Sequence, residues 1–211
     1  MARTEQTPKE RERKIDDILT AAKRIFLKKG YFNTTMLDIA TEAELSRRTV
    51  YLYFNNKDDL SYEIVHRAYS QLMKMLLLAS DSDKCGFEKL LDIKNNYIEY
   101  YKTNYEDFVF TLYFDFKINT QIVDEKQIKE SFFLLQKMVN RVEECMKEGI
   151  KDGSIRPIED VRRTAITAIN IIHATMQKLA VRTDVIEVLT KIPENLLIKE
   201  TFDIVFNSFK P

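Results

Sequence analysis

Arg47, Arg48, Tyr51 and Tyr53 fall within seven positions of one another, and hydroxyl-bearing Thr35, Ser46 and Thr49 and the cation Lys57 lie close by. Two guanidiniums offer forked, permanently charged donors that match guanine edges and phosphate oxygens. A phenol adds a hydrogen-bonding tip on a flat apolar body. These groups act together only if a short helix exposes them on one surface. Ser46 is an N-cap signal. After it Val50 and Phe54, four apart, can face inward while Arg47, Arg48, Tyr51 and Leu52 lie largely elsewhere. A preceding helix from Met36 to about Ala43 is signalled by Thr35 as its cap and Asp38 as the box partner three residues on. Ile39, Ala40 and Ala43 then share a face, and small Ala40 suits the close approach of two steeply crossed helices. The outline is that of a helix-turn-helix.

The flanks supply the elements that would hold this pair. Thr7, Pro8 and Glu10 read as cap, first-turn proline and capping-box partner. Ile15, Ile18, Leu19, Ala22, Ile25 and Phe26 follow at helical spacing, and Gly30 suits the residue that stops the helix. Asn56 caps a further helix whose first turn holds Asp58 and Asp59. Three helices thus close a small core over residues 1–56, and a fourth departs from it. Residues 1–57 hold twelve Lys or Arg against eight Asp or Glu, so the positive surplus of a chain with zero net charge lies with these helices. Arg3, Lys9, Arg11, Arg13 and Lys14 at the amino end could touch a DNA backbone.

The run ILTAAKRIFLKKGYFNTTMLDIATEAELSRRTVYLYFNNKDDL resembles the N-terminal domain of TetR/AcrR-type transcriptional regulators. The likeness rests on Ala21, Ala22, Phe26, Gly30, Tyr31, Thr34, Thr35, Ile39, Ala40, Ser46, Thr49, Tyr51, Tyr53, Phe54 and Lys57 at fixed spacing, over about the first quarter of the chain. It implies an all-α protein: an N-terminal three-helix helix-turn-helix DNA-binding domain (1–56), and a helical effector-binding and dimerisation domain (57–211). Two positions depart from the family pattern, which favours Gly where this chain has Glu44 and a small residue where it has Arg48. A non-glycine residue with positive φ at the turn carries a strain of about 1 kcal/mol. A second arginine can add a guanine contact or a phosphate clamp. Arg47, Arg48 and Tyr51 are expected to read base edges, and Thr35, Ser46, Thr49, Tyr53 and Lys57 to hold phosphates.

Composition narrows the alternatives. The 211 residues are 45% apolar, without an apolar run long enough to span a bilayer, and the start MARTEQTPKERERK lacks a secretory apolar region. The expectation is a cytoplasmic protein without a membrane partner. Cys85 and Cys145 stand far apart with no CxxC or Cys/His cluster, so neither a disulfide framework nor a metal site is suggested, and no cofactor is expected. There is no phosphate loop, GxSxG or HExxH, and the two histidines, His66 and His173, read as a surface residue and a buried or interfacial one. An enzyme is therefore not expected. The competing class is a helical adaptor without DNA function, which would not need the basic and aromatic surface of the second short helix.

Beyond Lys57 the pattern is helical throughout, with helices at about 57–79, 87–102, 105–118, 125–152, 158–182 and 194–209; Gly149 falls inside one of them. Thr164 to Gln177 contains no charged residue, which marks a helix buried on more than one face. Ala165, Ala168, Ile169 and Ile172 on it, with Phe202, Val205, Phe206 and Phe209 on the last helix, form the expected dimer interface. In the family resembled, the two C-terminal helices pack against their copies. Nine of the 23 aromatics fall between Tyr97 and Phe116. By the same resemblance, a small apolar or aromatic effector is expected among Tyr97, Tyr101, Phe110, Tyr113, Phe114, Phe133, Met138 and Met176. Glu99, Glu106, Asp107 and Asp115, interleaved with these aromatics, would suit a cationic aromatic compound. The partners implied are a palindromic double-stranded operator, that effector, and a second copy of the chain as homodimer, working as an effector-released repressor.

Overall fold

The computed structural model describes residues 7–79, 83–118 and 125–211; the side chains of residues 112–118 and 125–132 lie outside that description. Among the described residues the secondary structure is helical throughout: α1 Pro8–Lys29, α2 Met36–Glu42, α3 Arg47–Tyr51, α4 Lys57–Ala79, α5 Gly86–Thr103, α6 Tyr105–Ile118, α7 Glu125–Asp152, α8 Val161–Thr190 and α9 Glu194–Asn207. No helix among them is long and apolar enough to cross a membrane. Two compact units are formed, Met1–Arg67 and Ala68–Pro211, and the division falls within α4.

In the first unit the caps read from sequence are in place. Thr7 and Glu10 complete a box at α1, as do Thr35 and Asp38 at α2. Ser46 Oγ accepts the Thr49 amide at 3.0 Å and starts α3. Gly30 closes α1 with φ 77°. Ile18, Ala22 and Phe26 of α1, Ile39 and Ala40 of α2, and Val50 of α3 make the core, with Leu60 and Ile64 from the start of α4. Arg67 ties the ends of this unit together, donating to Glu63, Asp16 and Glu12 at 2.7, 2.5 and 2.7 Å. Partial burial opposes its charge, but the three carboxylates prevail and raise its pKa above the ordinary value.

The second unit is built on close approach of α5 and α7. A Cβ on Gly86 would lie 2.1 Å from the Gly149 amide nitrogen, so the glycine inside α7 is where the start of α5 rests. The Gly86 amide donates to Asp152 Oδ2 at 2.8 Å and the Phe87 amide to Ser154 Oγ at 3.1 Å. Free amides at the N-terminus of α5 are thereby satisfied from the end of α7. α8 continues to Thr190, well past the expected end at 182. The polar Thr183 and Asp184 do not break it; Lys191, in the left-handed conformation, and then Pro193 do.

Candidate DNA-reading surface and effector cavity

α3 exposes Arg47, Arg48 and Tyr51, while Val50 is fully buried and Phe54 nearly so. The Arg47 guanidinium lies 5.4 Å from the Tyr51 ring centroid, its Nη2 3.4 Å from the phenol oxygen. A second stack brings Arg11 of α1 over Tyr53, at 5.7 Å. Arg11 is thereby singled out from the five basic residues near the amino end; Arg3 lies outside the described residues. The turn between α2 and α3 holds Glu44 at φ 54°, the left-handed conformation expected where the family pattern has glycine. The Leu45 amide donates to the Ala40 carbonyl at 2.9 Å and fastens the turn.

Of the hydroxyls proposed for phosphates, those of Thr35 and Ser46 are exposed but already serve as caps, while Thr49 and Tyr53 are half-buried. Thr35 Oγ1 donates to Asp38 Oδ2 at 2.8 Å, and Ser46 Oγ lies 2.8 Å from Thr49 Oγ1. Asp38 also accepts from Lys29, and that bond, followed by those from Thr35, holds its carboxyl down at about 2.

Lys57 is a correction. Its ammonium donates to the carbonyls of Tyr31, Phe32 and Thr34 at 2.9, 3.2 and 3.1 Å, and sits 4.6 Å from the Tyr31 ring centroid. An ammonium has three donors, so in this geometry no N–H is left for a phosphate. The residue fastens the α1–α2 loop to the start of α4. A lysine at a helix start reads in sequence as an anion ligand; only the loop's path reveals the carbonyls.

The second unit holds a partly open cavity of about 310 Å³, near the lower limit of typical small-molecule sites. Tyr69, Leu72, Met73 and Leu76 line it from α4, and Leu90, Ile93, Lys94 and Tyr97 from one face of α5. Leu134, Leu135, Met138 and Val142 reach it from α7, with Ala168, Ile169, Ile172 and His173 among those from α8. Tyr97 Oη and Gln177 Nε2 engage the two ring nitrogens of His173, at 2.8 and 3.0 Å. Burial pushes the Tyr97 hydroxyl well above its ordinary pKa.

Of the side chains expected around an effector, Tyr97 and Met138 line this cavity. Tyr101, Phe110 and Met176 do not; they are buried in the packing of the unit. Tyr101 donates to Glu194 and packs edge-on against Phe108, so its hydroxyl is spent on joining α5 to α9. Phe133 is 56% exposed with the Lys137 ammonium over its ring. The side chains of Tyr113 and Phe114 lie outside the described residues. Glu99 and Glu106 face solvent and Asp107 does not line the cavity, so they do not supply the negative wall a cationic ligand would need; the side chain of Asp115 is outside the description.

The residues expected at a dimer face take part in the protomer's own packing. Ala165, Ala168, Phe202, Val205 and Phe209 are buried inside the protomer, and Ala168, Ile169, Ile172, Phe202, Val205, Phe206 and Phe209 line the cavity. Ile169, Ile172 and Phe206 are half-buried. α8 is apolar on both sides, and its outward residues are Ile166, Ile171, Val181, Val185, Val188 and Leu189, joined by Leu196 and Ile204 of α9.

The capped three-helix unit with its arginine-bearing third helix has the form of a helix-turn-helix. Residues 18–64 match the family described as bacterial regulatory proteins, tetR family. An HTH-type transcriptional regulator of Haemophilus influenzae is 35% identical over 81 residues, 38% of this chain and 43% of the relative. The regulator YfiR of Bacillus subtilis is 23% identical over 81% of this chain and 82% of its own length. The chain thus spans less than half of the first relative and four fifths of the second. The fold matches FadR from Bacillus subtilis, solved in complex with stearoyl-CoA, with a TM-score of 0.70 at 18% identity over 92% of this chain and 98% of the other. Residues 18–64 are thus similar to the DNA-binding region of TetR-type transcriptional regulators, and the fold of the whole chain is similar to solved members of that family.

Proposed function

We propose that the protein is a homodimeric repressor that leaves a palindromic operator when a small, largely apolar molecule occupies the cavity of its second unit. The observation that carries this reading is the course of α4. It begins at Lys57 against the core of the reading unit and supplies Tyr69, Leu72, Met73 and Leu76 to the cavity wall. A ligand that favours one placement of α4 over another changes DNA affinity by its differential affinity for the two. That the Bacillus subtilis neighbour was solved in complex with stearoyl-CoA supports a small-molecule effector.

On the DNA side, Arg47, Arg48 and Tyr51 face base edges in the major groove, while Thr35, Ser46, Thr49, Tyr53 and Arg11 lie along the backbone. The test is fluorescence anisotropy with the selected operator and a random duplex. Arg48→Ala should weaken operator binding by about 1 to 3 kcal/mol and random-duplex binding far less. Equal losses on both would reduce Arg48 to a phosphate contact, and no loss on either would remove α3 from the interface.

A further inference from the structure

The polar groups that reach the cavity are unequal in kind. They are Tyr69, Lys94, Tyr97, Asn170 and His173, four potential neutral donors and one cation, with no Asp or Glu among the described lining residues. His173 has both ring nitrogens occupied by Tyr97 and Gln177, so it is held as part of the wall. Lys94 differs. Its stem lies on the apolar face of α5 and its ammonium is 5.7 Å from the Phe206 ring centroid, beside the cavity. It has no ion pair among the described residues. Asp203, whose carboxyl feels its charge, is bound to Lys199 at 2.5 Å. A cation at the edge of a largely apolar cavity, with no carboxylate bound to it among the described residues, favours a ligand that brings the negative charge with it.

We propose that the effector is an amphiphilic anion. An aliphatic or aromatic body fills the cavity, and an acidic head pairs with Lys94, with the Asn170 amide as a second donor. This rests on reading the cavity as the effector site, and it replaces the cationic aromatic compound expected from the acidic residues of α5 and α6. The head can be a free carboxylate or the phosphates of an acyl-CoA.

The test is displacement of an environment-sensitive apolar dye from the full-length protein by decanoate, decanol, decylamine and decanoyl-CoA, which share a chain length and differ in the head. Decanoate or decanoyl-CoA should bind about tenfold tighter than decanol, with decylamine weakest, a ratio within reach of one charge-assisted hydrogen bond. Whichever anion binds tighter identifies the head. Lys94→Met should abolish the anion's advantage over decanol, with an unchanged thermal unfolding midpoint showing that the variant is folded; Lys94→Arg should keep the advantage. Equal binding of decanoate, decanoyl-CoA and decanol to the unaltered protein would overturn the anion proposal and leave the cavity reading intact. An advantage that survives Lys94→Met would overturn the role of Lys94. Failure of the dye and every decyl compound to bind would overturn the cavity reading itself.

Discussion

At the scale of single residues, the first unit separates groups that hold the reading head from groups left to touch DNA. Arg47, Arg48, Tyr51 and Arg11 are exposed, with Arg47 stacked on Tyr51 and Arg11 on Tyr53. Lys57 is directed inward to three carbonyls of one loop. Lys57→Met would leave those carbonyls short of a donor and should lower stability by about 1–3 kcal/mol, read by chemical denaturation. The salt dependence of DNA binding separates the two roles, because a lost phosphate contact reduces the slope of log affinity against log salt by about one. An unchanged slope is expected; a reduced one would return Lys57 to the DNA backbone.

At the scale of elements, most of what the sequence shows is how helices begin. Thr7 with Glu10, Thr35 with Asp38, and Ser46 are local signals, because a cap bonds within its own first turn. They therefore survive without knowledge of the fold. Gly149 carries no such signal, since its purpose lies sixty residues away at Gly86. Gly86→Ala tests that contact. The new methyl would meet backbone at 2.1 and 2.3 Å, which no rotamer change can relieve, so α5 and α7 must part. Overpacking of this kind costs about 1–3 kcal/mol, and thermal denaturation should show a lowered midpoint. A midpoint at or above that of the unaltered protein would mean that the helices yield freely there. The phase of α8 was likewise hidden. TAITAINIIHATMQ has apolar residues on both sides, and periodicity cannot say which side faces α5 and α9 and which faces out. The cavity was half legible for a related reason. Aromatic density marked α5, but Tyr100, Tyr101, Phe108 and Phe110 are packed as core, and the lining comes largely from aliphatic residues of five helices that no local pattern connects.

At the scale of the whole molecule, the outward side of α8 is the face we propose for assembly. Val185, Val188 and Leu189 are 57, 66 and 76% exposed, and Ile204 on α9 is 64% exposed, an apolar surface larger than isolated exposed residues would make. In the proposed homodimer a second copy presenting the same stripe would cover it by two-fold symmetry, and a two-fold protein matches a palindromic site. Val181→Asp combined with Val185→Asp places two carboxylates on each copy of the buried stripe, where desolvation without a partner costs several kcal/mol. Light scattering should then report monomers, with helical content retained because neither residue is buried within the protomer. Operator affinity should fall with the dimer, as each monomer keeps one reading helix and loses the other. Phe202→Ala supplies the contrast: it opens the protomer core and lowers stability, yet should leave the assembly dimeric. If Val181→Asp with Val185→Asp stayed dimeric while Phe202→Ala gave monomers, the contact between copies would run through the inward face after all, and the cavity would have to be an artefact of separating them.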